Sequence, residues 1–198
     1  MRPALILALL VVLAGCGPEI APSAAVSPGS PASSIASAPR ISAPPVTPPI
    51  PPGNDLPPFA CADASGGTTG VANTIAARVD EGPGYDRFVL QMDSIVPTFT
   101  VKSQAKPIFT AGASGKTLTL VGTAGVLVQV HSATGGATFS GPTDLVHPDF
   151  KVLQEARQTE DFEGYVSWGL GLSAPACMRV FTLADPARLV VDFQRPTS

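Results

Sequence analysis

Charge is scarce and unclustered in this chain: only 14% of its 198 residues are Asp, Glu, Lys or Arg. No run or patch of Lys and Arg is present. The electrostatic footprint that a phosphate backbone requires is missing, so no nucleic-acid partner is expected. Histidine is limited to His131 and His147, neither with a Cys, His or Glu at ligand spacing, so no metal site is expected. No G-x-S-x-G elbow occurs to present a serine nucleophile. The stretch "GASGKT" (112–117) ends like a phosphate loop, but position 110 is Thr where that loop requires glycine. It reads as a turn, and no cofactor is expected. Beyond the first residues no apolar run is long enough to span a bilayer.

What is present starts with "MRPALILALLVVLAGCGPE". Arg2 precedes an apolar stretch, Ala4 to Leu13, and then small residues, which is the layout of a signal peptide over residues 1–15. Leu13-Ala14-Gly15-Cys16 resembles the lipobox of bacterial lipoproteins, whose cysteine is alkylated with diacylglycerol and becomes the first mature residue. The resemblance implies a lipid anchor on Cys16 at the extracytoplasmic face of the bacterial membrane. Two acyl chains supply the second hydrophobic signal that stable anchoring needs. An ordinary cleaved signal with an incidental cysteine is the alternative.

Of the three cysteines, lipidation takes one and leaves Cys61 and Cys177. In an oxidising compartment an even remainder points to a disulfide, with two free thiols as the alternative. Residues 16–60 read as a linker: from Gly17 to Pro58 there are 13 prolines among Ala and Ser, with no apolar period. Such a stretch is expected to stay extended and solvated, and "PPVTPPIPP" favours polyproline II.

Residues 61–198 read as one folded domain, with 10 Lys and Arg against 13 Asp and Glu. Turn signals recur at "EGPG" (81–84), "VP" (96–97), "ASG" (113–115), "TAG" (123–125) and "TGG" (134–136), separated by short Val-, Leu-, Thr- and Phe-rich runs. This spacing predicts an all-β sandwich of short antiparallel strands. Successive strand residues point to opposite faces. Phe88, Leu90 and Met92 therefore share a core face, as do Val126, Val128 and Val130. "FEGYVSWGLGL" puts Phe162, Val166, Trp168, Leu170 and Leu172 together, opposite Glu163, Tyr165 and Ser167. "KVLQEARQ" (151–158) is ambiguous between helix and strand, and strand is preferred.

"FTLADPARLVVDF" (181–193) reads as a closing hairpin around Asp185-Pro186. Leu189, Val191 and Phe193 face the core, with Arg188, Val190 and Asp192 outside. In the other arm Cys177, Phe181 and Leu183 share a face on which Arg179 is discordant. "DRFVLQMD" and "ARLVVDFQ" echo each other, which suggests equivalent places in two halves of a sandwich. Glu155, Glu160, Asp161 and Glu163 read as a solvated turn between two strands, with a glycosidase-like carboxylate pair as the rival. Tyr85 and Tyr165 are surface candidates for stacking. Arg87, Arg188 and Asp192 are their polar neighbours if the two echoing strands pair.

Together "GYDRFVLQMD" (84–93), "DFEGYVSWGLGL" (161–172) and "LADPARLVVDF" (183–193) resemble the AMIN-like domain of bacterial envelope lipoproteins. The likeness covers roughly residues 68–195, behind a lipobox and a Pro-rich linker. It implies a non-catalytic β-sandwich that binds cell-wall polymer (peptidoglycan) or an envelope protein. The alternative is an interaction module without polymer affinity that engages a protein through a sheet edge.

Overall fold

A computed structural model describes residues 56–112 and 114–197. The signal segment, Cys16 and the linker up to residue 55 lie outside the described residues. The chain divides into two units, Met1–Pro49 and Ile50–Ser198, and everything described belongs to the second.

Thirteen strands occur among the described residues. In chain order they are β1 (Ala64–Gly66), β2 (Ala72–Gly82), β3 (Tyr85–Met92), β4 (Phe99–Gln104), β5 (Ile108–Ala111), β6 (Lys116–Thr119) and β7 (Ala124–His131). They continue with β8 (Ala133–Thr134), β9 (Asp144–Val146), β10 (Leu153–Phe162), β11 (Tyr165–Leu172), β12 (Met178–Ala184) and β13 (Ala187–Gln194). A six-stranded antiparallel sheet runs β1-β4-β7-β11-β10-β9. A five-stranded sheet runs β12-β13-β3-β2-β8, in which β8 joins parallel to β2. β5 and β6 form a separate hairpin.

The two larger sheets bury their facing sides against each other. Phe88, Leu90, Met92, Leu189, Val191 and Phe193 come from the five-stranded sheet. Val126, Val128, Val130, Val166, Trp168 and Leu170 come from the six-stranded one. Phe88 and Trp168 meet across the middle with ring centroids 5.4 Å apart. Alternation of apolar residues in β3, β7, β11 and β13 predicts this face correctly, and the fold is the expected sandwich.

The outer side of the six-stranded sheet is partly covered as well. The β5–β6 hairpin folds back over it and buries Phe109 and Leu120. Gly169 makes the approach possible, since a Cβ there would sit 2.7 Å from the Phe109 ring. Gly171 does the same beneath the Val121 carbonyl. The alternation of "GLGL" thus has leucines in the core and glycines under the hairpin.

A disulfide joins Cys61 to Cys177, 116 residues apart. Beside it Ala60 pairs with Met178, extending the edge of β12. Asp86, fully buried, accepts from the Val152 and Leu153 amides at 2.6 and 3.0 Å and from Arg195 Nε at 2.8 Å. It ties β3 to the start of β10 and to the C-terminal segment.

Several expectations need correction. The stretch 162–172 is two strands, because Glu163 and Gly164 adopt positive φ (49° and 82°) and form a tight hairpin turn. That turn separates Phe162, which is exposed, from Trp168. Position 124 opens β7, so the turn there ends at Thr123. Of the acidic cluster only Glu163 lies in the exposed turn between the two strands: Glu155, Glu160 and Asp161 lie on β10, and Glu155 is buried, accepting from the Val121 amide at 2.6 Å. The echoing strands β3 and β13 are adjacent in one sheet, not equivalent members of two. In β12 the core side chains are Met178 and Val180, so Phe181 and Arg179 belong to the outer face.

Candidate functional site

Two outer faces carry polar chemistry. On the five-stranded sheet, β3 and β13 pair as the candidate surface requires, and the register sets their side chains in rows. Asp80, Arg87, Asp192 and Arg179 lie opposite one another across β2, β3, β13 and β12. The next row is Arg78, Val89, Val190 and Phe181, and the third is Ala76, Gln91, Arg188 and Leu183.

Asp192 takes two arginines. Arg87 donates from Nε at 2.5 Å and from Nη2 at 2.8 Å, while Arg179 donates from Nε at 2.6 Å. Tyr85 lies against both guanidinium groups at 4.8 Å. Phe181 flanks Arg87 at 5.5 Å and Phe59 flanks Arg179 at 4.6 Å. The result is a stack in the order Phe59, Arg179, Tyr85, Arg87, Phe181. Burial by itself lowers the Arg87 pKa, but the hydrogen bonds and charge of Asp192 hold it above its ordinary value.

Parity places Arg87, Arg188 and Asp192 opposite the core, and sequence reasoning takes that side as open. It is not: Arg87 and Asp192 are 1% and 0% exposed, and Arg188 is 4% exposed. Opposite charges in register and rings laid over guanidinium planes close this face without a further layer of strands. Arg179 and Phe59 were missed. The signal for Arg179 was present, since the residue that broke the parity of β12 is the one that pairs with Asp192.

Tyr165 lies on the other sheet and does not join this cluster. On the outer face of the six-stranded sheet it aligns with His131 on one side and Phe162 on the other. His131 and Tyr165 meet edge-on at 5.0 Å, and Tyr165 and Phe162 are 41% and 48% exposed. The adjacent row is polar: Thr100, Gln129, Ser167 and Glu160. Gln129 Nε2 donates to Ser167 Oγ at 3.3 Å, and that hydroxyl donates to Glu160 Oε2 at 3.1 Å. This row runs into a cleft of about 290 Å³ beneath β5, lined by Gln104, Ile108, Thr110, Gln129, Glu160 and Ser167 among others. The lining has one carboxylate and no cation, so it suits neutral ligands rich in hydroxyl and amide groups.

The family model described as the AMIN-like domain matches residues 72–195. The chain belongs to the AMIN-like domain family. No curated protein and no solved structure matches it. Membership makes this AMIN-like domain an envelope-associated binding module on the extracytoplasmic side, of a kind that is in general not catalytic. The matched span contains both outer faces, from β2 through β13. Phe59 and Cys61 precede it. The AMIN-like motifs themselves are largely core strands, and Gln129 and Glu160 stand outside them, Glu160 being legible in the sequence only as a member of the acidic cluster.

Proposed function

We propose that the AMIN-like domain binds peptidoglycan through the outer face of the six-stranded sheet, with Cys16 lipidated to hold the chain at the membrane. The supporting observation is the row Phe162, Tyr165 and His131 lying beside Thr100, Gln129, Ser167 and Glu160 and leading into the cleft. Exposed rings on a flat sheet stack on the apolar faces of sugars, and neighbouring amides and hydroxyls meet their polar edges.

Residues 56–198 mixed with purified peptidoglycan should pellet with it at both low and high salt, because this face is close to neutral. Tyr165→Ala should weaken binding by about 1–2 kcal/mol, roughly tenfold. Failure of the parent protein to pellet at either salt sinks this reading. The anchor is tested separately: Cys16→Ser should move the full chain out of the detergent phase, and unchanged partitioning would count against lipidation. A second reading rests on β12, an edge strand of seven residues that is paired with Ala60 only at Met178, where the other edge strands β1, β8 and β9 have two or three residues. An edge of that length can pair with a partner's strand. Crosslinking to an envelope protein without pelleting on peptidoglycan is its signature.

A further inference from the structure

The face of the five-stranded sheet holds more positive charge than its structure requires. Its three rows contain Arg78, Arg87, Arg179 and Arg188 but only Asp80 and Asp192, four cations against two anions. Asp192 is shared by Arg87 and Arg179 and so leaves one of their two charges uncompensated, while Asp80 pairs with Arg78 at 3.0 Å. Arg188 has no carboxylate within ion-pair distance among the described residues, and its only hydrogen bond runs from Nε to the Pro186 carbonyl at 3.1 Å. Asp185, in the exposed hairpin turn, is the acid whose charge acts on it.

Two further observations mark the arrangement as incomplete. Arg87 Nη1 is buried and has no hydrogen-bond partner. Arg188 is nearly buried, and its pKa is lowered by that burial and by the like charges of Arg78 and Arg87. Burying a cation beside two others without a counter-ion is unfavourable, since desolvation and repulsion act in the same direction. Nothing in the register demands a guanidinium at position 188, which lies opposite Gln91 and Leu183, because a straight apolar chain would occupy the same place in the row.

We infer that Arg188, with Arg78 and Arg87, forms an anion site for a phosphate group on the outer face of the five-stranded sheet. A phosphate carries about −1.5 to −2 charges near neutral pH, which matches the excess of two, and its oxygens accept the forked donors of arginine. Arg78 is the most exposed of the three and forms the entry. The site is independent of the glycan face, which lies on the other sheet and carries no cation in its cleft.

Thermal unfolding of the full chain tests the site. Inorganic phosphate should raise Tm above sodium chloride of equal ionic strength, as expected for a ligand bound only by the native state. Arg188→Met should keep the chloride Tm or raise it, and should lose the phosphate response. Arg78→Gln is the second variant and should reduce that response at least threefold. Glycerophosphoglycerol, a soluble lipid headgroup, separates the two sources. A response equal to that of phosphate points to lipid, and a smaller one to free or monoester phosphate. An equal phosphate response in parent and Arg188→Met, or none in the parent, overturns the site. A large fall in the chloride Tm of Arg188→Met also overturns it, because Arg188 would then be structural.

Discussion

Asp192 shows how much one buried carboxylate can hold. It is fully buried and accepts from two arginines whose other faces are occupied by rings. Asp192→Asn preserves the shape and removes the charge, leaving Arg87 buried without a counter-ion. Stability should fall by about 3–5 kcal/mol, read as the shift in urea midpoint. Arg179→Leu should cost less, because Asp192 keeps its bidentate partner. Equal midpoints for Asp192→Asn and the parent would show that the pair contributes nothing. At this scale the sequence was half legible. Parity located these side chains on the correct side of β3 and β13, but a strand pattern carries no information on what lies above a face. Burial was decided by the register that sets Arg87 opposite Asp192 and by Phe59, which arrives from outside the strands.

At the scale of elements, β11 is packed on both sides. Its leucines and Trp168 enter the sandwich, while Gly169 and Gly171 lie beneath the β5–β6 hairpin. Gly171→Ala places a Cβ against the Val121 backbone, whereas Gly169→Ala meets the Phe109 ring, which has more room to adjust. Both should destabilise by about 1–3 kcal/mol, with Gly171→Ala the worse, as measured by denaturant unfolding. Amide exchange in residues 107–120 should rise in both. If exchange there is unchanged, the hairpin is not held by these contacts. "GLGL" had shown which residues face the core. It could not show why the alternate positions are glycine, since the hairpin that excludes a side chain is some fifty residues earlier in the chain.

For the whole molecule, the disulfide ties the entry of the folded unit to its last hairpin. Closing a loop of this size restricts the unfolded chain and stabilises by roughly 4–5 kcal/mol in the chain-entropy model. The pair Cys61→Ser with Cys177→Ser should therefore lower the urea midpoint by an amount that reductant also produces in the parent. A reductant-insensitive parent would argue that the bond is absent in solution. The same bond keeps Ala60 paired beside β12 and Phe59 on Arg179, so its loss should loosen the arginine stack before it loosens the sandwich core.

The all-β class, the closing hairpin and the core faces of β3, β7, β11 and β13 follow from local patterns, while the pairing of Cys61 with Cys177 follows from the cysteine count and the expected compartment. Turn residues and period-two alternation act within a few residues and leave a direct trace in the chain. The two outer faces do not follow from such patterns. Tyr165 and Tyr85, grouped by residue type, are separated onto different sheets because β3 and β11 belong to opposite layers. Arg87, Arg188 and Asp192, read as open surface, are buried because strands distant in sequence lie in register. Which polar residues meet, and which of them water reaches, depends on contacts between distant segments, and only the assembled sheets set those.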